Sequence, residues 1–393
     1  MKTVGSHWIA DVPSGWRIDT PRFAFSVRGE RAKPGMEQMT ASQQYGVIPQ
    51  SEYVKKTGSH VVVVEKDFTI LKAVYPGDFV IHMRSFQGGL ELSEVKGCTS
   101  SAYVMLIPGP QIHSARYYRW VFKCDGYINE LRSTSNLVRD GQAMRWANFI
   151  QVPIPFPPPE VQDSIAKYLD RETERIEELK DSIRAQIDAL EAYKRSLILR
   201  TVTKGLRPNA ELIDSNVDWI GDIPAHWSLR RLGTLFRVRN ERVSALSFEP
   251  LSVTKNGILP QLEHVAKTDY VDNRKLVKAG DFVINSRSDR RGSCGISPRD
   301  GSVSLINTVL ASRDSNEVPP YFGWLLHSEA FSDEFYRWGH GIVADLWTTN
   351  WDDMRRIVVP VPSAEEQDEI CNFLENCTMD LSSTIRAKRR QLE

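Results

Sequence analysis

The chain has 393 residues, with 50 basic and 50 acidic side chains balancing to zero. That balance excludes a polybasic or acidic-tailed protein, and the length suggests two or three domains. No apolar run approaches the roughly 18 residues of a membrane span, and MKTVGSHWIADVPSGW lacks the apolar stretch of a signal peptide. The five cysteines (Cys98, Cys124, Cys294, Cys371, Cys377) are scattered and form no CxxC pair. They argue against a disulfide framework or a zinc site, and a reducing, cytoplasmic setting is expected.

The chain repeats itself. WIADVPSGWRI from Trp8 returns as WIGDIPAHWSL from Trp219, an offset of 211 that runs without a gap to Val54. Fifteen of those 47 positions are identical, including Trp8/Trp219, Pro13/Pro224, Trp16/Trp227, Phe25/Phe236, Arg28/Arg239, Gly46/Gly257, Pro49/Pro260 and Gln50/Gln261. PGDFVI at Pro76 then matches AGDFVI at Ala279, VPIP at Val152 matches VPVP at Val359, and VQDSIAKYL at Val161 matches EQDEICNFL at Glu366. Offsets of 203, 207 and 205 are what loops of unequal length produce. The pattern is a tandem duplication, each copy a globular domain followed by a helix. The expected parts are 1–157, a helix over 158–205, a second domain over 206–362 and a helix over 363–393.

In chain order, Val61–Val64 and Asp78–Met83 read as short strands of an α+β domain. VPIPFPPPE closes the domain. Its prolines fix φ and remove donors, so the run is expected to be extended and outside any sheet, with a proline at the next helix start. Leu169, Ile176, Ile183, Leu190 and Leu197 follow at a strict period of seven, a coiled-coil seam. Gly205 is placed to cap that helix. The second domain repeats the strand as Asp281–Asn285. Its helix carries Leu374, Leu381 and Ile385 and is about two heptads shorter. The preferred arrangement is an intramolecular antiparallel pair of the two helices. Packing on each helix's own domain, or pairing between copies, stays open.

No Walker A, HExxH, GxSxG, GxGxxG or methyltransferase N-P-P-Y or D-P-P-Y motif occurs. Asp78 with Glu94 and Lys96 has the spacing of a magnesium nuclease site, but the second copy keeps only Asp281. A structural role for the aspartate is preferred, and no metal site is expected. After each Gly-Asp strand comes a loop: MRSFQGG, and SRSDRRGSCG. Arginine forks bind guanine edges or phosphate, glutamine reads adenine, and glycine lets backbone approach a phosphate. The candidate DNA contacts are therefore Arg84, Ser85, Gln87 and Gly89 in the first copy. In the second they are Arg287, Ser288, Arg290, Arg291 and Gly292. A solvated turn is the bland alternative. Residues 1–157 carry 18 basic and 13 acidic groups, and 206–362 carry 19 and 20, so DNA affinity of the chain alone should be modest.

The helix entry V-P-I-P-F-P-P-P-E-V-Q-D-S-I, the helix exit L-I-L-R-T-V-T-K-G and the opening D-W-I-G-D-I-P-A-H-W resemble the specificity (S) subunit of type I restriction-modification enzymes. The resemblance spans essentially the whole chain, carried by these motifs and not by the domain interiors; the short second helix departs from the duplication. It implies a non-catalytic subunit whose two target-recognition domains each read half of a bipartite asymmetric DNA site. The helices would act as a spacer and dock two modification (M) subunits, and restriction (R) subunits would join them. S-adenosylmethionine, ATP and magnesium would then belong to partner subunits, with no cofactor in this chain and no membrane partner. A two-domain coiled-coil scaffold that binds only protein is the alternative.

Overall fold

The computed structural model describes residues 8–9, 11–59, 61, 63–64, 68–82, 85–134, 144–261, 273–314, 318–341 and 347–393. The chain divides into two compact units, Met1–Glu178 and Leu179–Glu393, with the boundary inside a helix over Pro159–Lys204.

The first unit centres on a four-stranded antiparallel sheet in the order Phe25–Val27, Val104–Pro108, Phe79–Ile81, Glu91–Leu92. Phe25, Phe79, Phe122 and Phe149 meet beneath it, mostly edge to face with centroids 5.1–5.9 Å apart. Such pairs contribute about 0.5–1.5 kcal/mol each beyond area burial. Helices Ala115–Val121 and Asp125–Ser133 cover this core through Tyr118, Tyr127 and Leu131. Two ribbons flank the sheet: Met39–Ser42 with Gly46–Pro49, and Lys72–Val74 with Gly97–Thr99.

The second unit repeats this order with Phe236–Val238, Asn307–Ser312, Phe282–Asn285 and Cys294–Ile296. Helices Pro320–His327 and Glu329–Arg337 take the places of the first pair. The hairpin Leu251–Thr254 with Gly257–Pro260 takes the place of the first hairpin.

The Gly-Asp motif has the same local cause in both units. Gly77 at φ +93° and Gly280 at φ +82° sit at the turn position that demands positive φ, closed by Asp78 N–H to Tyr75 O (3.1 Å) and Asp281 N–H to Lys278 O (3.0 Å). Each aspartate then accepts the backbone N–H of Tyr75 or Lys278 and a two-pronged arginine. Arg28 Nε and Nη2 reach Asp78 at 2.7 Å each; Arg239 reaches Asp281 at 2.7 and 3.1 Å. Both carboxylates are buried, and these hydrogen bonds push each guanidinium further above its usual value. The aspartate pins the turn to the neighbouring strand. Glu94 lies exposed against Arg119, so no nuclease pair forms.

Two sequence expectations change. Val61, Val63 and Val64 belong to no strand, and Val62 lies outside the described residues. The proline run does enter a sheet: Ile154–Phe156 pairs antiparallel with Arg17–Asp19. A two-stranded ribbon leaves one edge of each strand free, so a residue without an N–H is tolerated there. The prolines use their carbonyls instead, Pro153 O accepting from Trp8 Nε1 (2.9 Å) and Pro155 O from Tyr118 OH (3.1 Å). Ser228–Arg231 with Val358–Val361 is the second copy of this ribbon.

Pro159–Lys204 begins at a proline and is seated on the first unit by buried Gln162, which accepts from Ser114 N–H and donates to Pro157 O, both 3.0 Å. It ends at Gly205, φ +72°, whose N–H closes on Thr201 O at 3.0 Å. The second long helix, Ala364–Arg390, starts with Ser363 capping Glu366 N–H at 3.3 Å. Gln367 Nε2 donates to Pro362 O at 3.0 Å, repeating the Gln162 bond.

Candidate nucleic-acid interface

In the second unit the strand Phe282–Asn285 runs into a loop built on side-chain and backbone support. Tyr336 OH donates to Arg287 O (3.0 Å), Arg287 N–H donates to Asn285 Oδ1 (3.1 Å), and Ser286 meets Thr308 at 3.1 Å. Residues Ser288–Arg290 make one 3-10 turn. Asp289 sits between Arg287 (3.2 Å) and Arg290 (3.7 Å). Arg291 pairs with Asp333 at 2.6 Å and lies over the Tyr336 ring at 5.2 Å. The Arg290 side chain is 68% exposed and that of Arg291 54%. Exposed ion pairs of this kind contribute about 0–1 kcal/mol, so phosphate or a base edge can displace them at little cost. Gly292 has φ +72°, and an added Cβ would meet nothing within 4 Å, which leaves its backbone approachable. The loop thus presents three of the expected residues, Arg290, Arg291 and Gly292, on an open face. Arg287 is partly covered, and the described structure does not include the Ser288 side chain.

The first-unit counterpart is built differently. Arg84 lies outside the described residues. Ser85 starts a short helix, Ser85–Gly88, and is fully buried with its Oγ accepting from His82 N–H at 2.9 Å. Gly89 has φ +77°, and a Cβ there would come within 1.8 Å of Phe122 O. Packing against Phe122 by itself requires a glycine there. Lys123 and Arg132 hold the loop from below by donating to Gly88 O and Phe86 O. Of the four expected residues in this copy, Gln87 is the described one with an exposed side chain.

The long helices meet within the second unit in antiparallel fashion. Lys194 Nζ donates to Ser382 Oγ (2.8 Å), Arg389 pairs with Glu191 (2.6 Å) and Lys388 with Gln186 (2.6 Å). Ile187, Val202, Leu374 and Ile385 are buried along this face, with Ile198 packed beside them. Leu190, Leu197 and Leu381 are half-buried, as are Ile183 and Leu169. Ile176 and Leu179 are 51% and 55% exposed. Burial therefore follows where the partner helix runs, and Ile187, off the strict period of seven, is the residue that lies under it.

Among the described residues no cluster of histidine, cysteine and carboxylate could hold a metal ion, and no helix is long and apolar enough to cross a membrane. The folded class is a duplicated α+β chain in which two like units alternate with two long helices. No family model matches the sequence. Solved structures do. The chain is similar to one from a type I R-M system whose complex assembly and conformational transition were studied, with a TM-score of 0.66 and 16% identity over 98% of this chain and 95% of that one. It is also similar to the HsdS subunit from Thermoanaerobacter tengcongensis, with a TM-score of 0.55 and 18% identity over 98% of this chain and 93% of that one. The fold is shared with these chains essentially end to end.

Proposed function

We propose that this chain is the DNA-specificity subunit of a type I restriction-modification complex. Each globular unit reads one half of a bipartite, asymmetric duplex site. The long helices set the half-site spacing and dock two modification subunits, with restriction subunits joining that assembly. The chain carries no chemistry of its own; S-adenosylmethionine, ATP and magnesium act on the partner subunits.

The observation that carries this reading is the repetition of a whole recognition unit. Both copies share one sheet order, one Arg-Asp pin and one loop at the same edge. A protein that must read two different half-sites needs two like scaffolds with unlike loops, and the loops MRSFQGG and SRSDRRGSCG are among the segments that differ between the copies. The near-neutral charge fits a reader whose affinity is raised by basic partners through counterion release.

The test is an exchange of units. A hybrid keeping the first unit and taking its second from another such subunit, co-expressed with modification subunits, should direct adenine methylation to a site sharing one half with the parent. Methylation of a sequence unrelated in both halves overturns the reading. A purified chain that binds S-adenosylmethionine tightly, or cuts DNA with magnesium, overturns the division of labour.

A further inference from the structure

A hairpin lies beside the loop in each unit. In the first, its tip is Gln43-Gln44-Tyr45, between strands Met39–Ser42 and Gly46–Pro49. A Cβ placed on Gly88 would come 2.4 Å from Gln43 Cδ, so the Gln43 side chain lies directly on the loop that carries Gln87. Gln44 is exposed, and Lys56 Nζ sits 5.2 Å from the Tyr45 ring. In the second unit the tip is Lys255-Asn256, equivalent to Gln44-Tyr45 at offset 211, between strands Leu251–Thr254 and Gly257–Pro260. A Cβ on Gly295 would lie 3.1 Å from Gly257 Cα, so the strand that leaves this tip packs against Cys294–Ile296, the strand that follows the loop. Lys255 lines one cavity of about 800 Å³ together with Arg291 and Gly292. Lys255 makes no ion pair among the described residues.

We propose that hairpin tip and loop form a single base-reading head in each unit, and that the two heads read different base pairs. This rests on the specificity-subunit reading. Among the described residues the first head presents the amides Gln43, Gln44 and Gln87, and an amide pairs its donor and acceptor with adenine N6 and N7. The second is built from Lys255, Arg290 and Arg291, whose donors match the two acceptors of guanine, O6 and N7. One amide, Asn256, stands among these cations, so guanine dominates that half without excluding adenine. A two-stranded ribbon fits the major groove, about 12 Å wide, where each base pair presents a distinct pattern. The first half-site is therefore specified mainly at A·T pairs and the second mainly at G·C pairs.

The experiment is selection from a randomised double-stranded DNA library by the full chain, alone and with modification subunits from the same genome. The expected result is two sequence blocks separated by an unspecified spacer. Gln44→Ala with Gln87→Ala should relax A·T positions in one block, with discrimination falling roughly ten- to a hundredfold at a contacted pair. Lys255→Ala and Arg290→Ala should relax G·C positions in the other block only. These side chains are exposed, and Lys255→Arg should retain the guanine preference, which separates lost readout from lost folding. If the wild-type chain with its partners enriches no sequence, the specificity reading falls and this inference with it. If two blocks are enriched but the variants change neither, change both alike, or change the opposite base pairs, the head assignment is overturned and the specificity reading stands.

Discussion

Replacing Asp281 with alanine removes the carboxylate under the second unit's central turn. Asp281 is fully buried and holds three donors: Arg239 Nε and Nη2, and the Lys278 N–H. The Arg239 side chain is 16% exposed, so it cannot swing freely into water when its partner goes. Breaking a buried ion pair from one side costs about 3–5 kcal/mol, because an uncompensated charge stays behind. At about 2–4 °C per kcal/mol for a domain of this size, the second unit should melt on the order of 6–20 °C lower. The assay is hydrogen exchange read peptide by peptide during thermal or denaturant unfolding. Protection of Phe282–Asn285 should collapse early, while Phe79–Ile81 in the first unit keeps its wild-type midpoint. Asp78→Ala should invert the pattern. The double variant Asp281→Leu with Arg239→Met should recover most of the loss, since a well-packed apolar pair can replace a buried ion pair. A loss below about 1 kcal/mol, or equal destabilisation of both units, would refute the claim that each pin secures its own sheet.

Ile187→Asp puts a charge at a buried position between the long helices and should cost about 2–4 kcal/mol in the second unit's denaturant midpoint. Ile176→Asp, at a half-exposed position, should change that midpoint by under about 0.5 kcal/mol yet weaken assembly with modification subunits in size-exclusion chromatography. A heptad inserted in register in both long helices adds roughly 10 Å of helix. At about 3.4 Å per base pair, methylome sequencing should then show the same half-sites with about three more base pairs between them. Burial raises the Cys294 thiol to about 12 and the Cys371 thiol to about 11, from an ordinary value near 9. A folded-state value above the unfolded one means stability is complete below pH 9 and is lost as pH climbs toward 12. Denaturant titrations of the second unit between pH 8 and 11 should show that decline, and maleimide should label exposed Cys124 well before Cys294.

Much of the architecture can be read in the chain because the duplication supplies an internal comparison. Trp8/Trp219, Arg28/Arg239 and the two Gly-Asp strands stand out as repeated. Their partners do not: Arg28 and Asp78 are 50 residues apart, and only the folded sheet brings them within 2.7 Å. The seam of the long helix shows the same limit. A period of seven identifies an apolar stripe, but which part of it is covered depends on how far the second helix runs alongside, so Ile187 is buried and Ile176 exposed. Ser85 and Gly89 matched their second-copy partners by position, yet one caps a buried turn and the other passes under Phe122. Loops that diverge between copies lose the positional equivalence that makes the rest readable. Nothing in Gln43-Gln44-Tyr45 hints that this hairpin tip rests on Gly88, although the repeated Gly46/Gly257 marks the turn.

Each unit also closes on itself. Arg17–Asp19 pairs with Ile154–Phe156, and Ser228–Arg231 pairs with Val358–Val361, so the strand that enters a unit lies against the strand that leaves it. In the second unit the knot is tighter still, with Glu366 at the start of the second long helix accepting from His226 (3.0 Å) and Trp227 (2.9 Å) of the opening motif. For a gene this geometry matters as much as for a fold. The two seams, around Trp8 and VPIP and around Trp219 and VPVP, fall on the repeated motifs of the chain. Recombination between related genes at those stretches would deliver one closed unit, with entry and exit already matched to the recipient. On the proposed function, a lineage carrying such a chain would gain a new half of its recognition site by exchanging one unit, without waiting for point mutations to rebuild a reading surface.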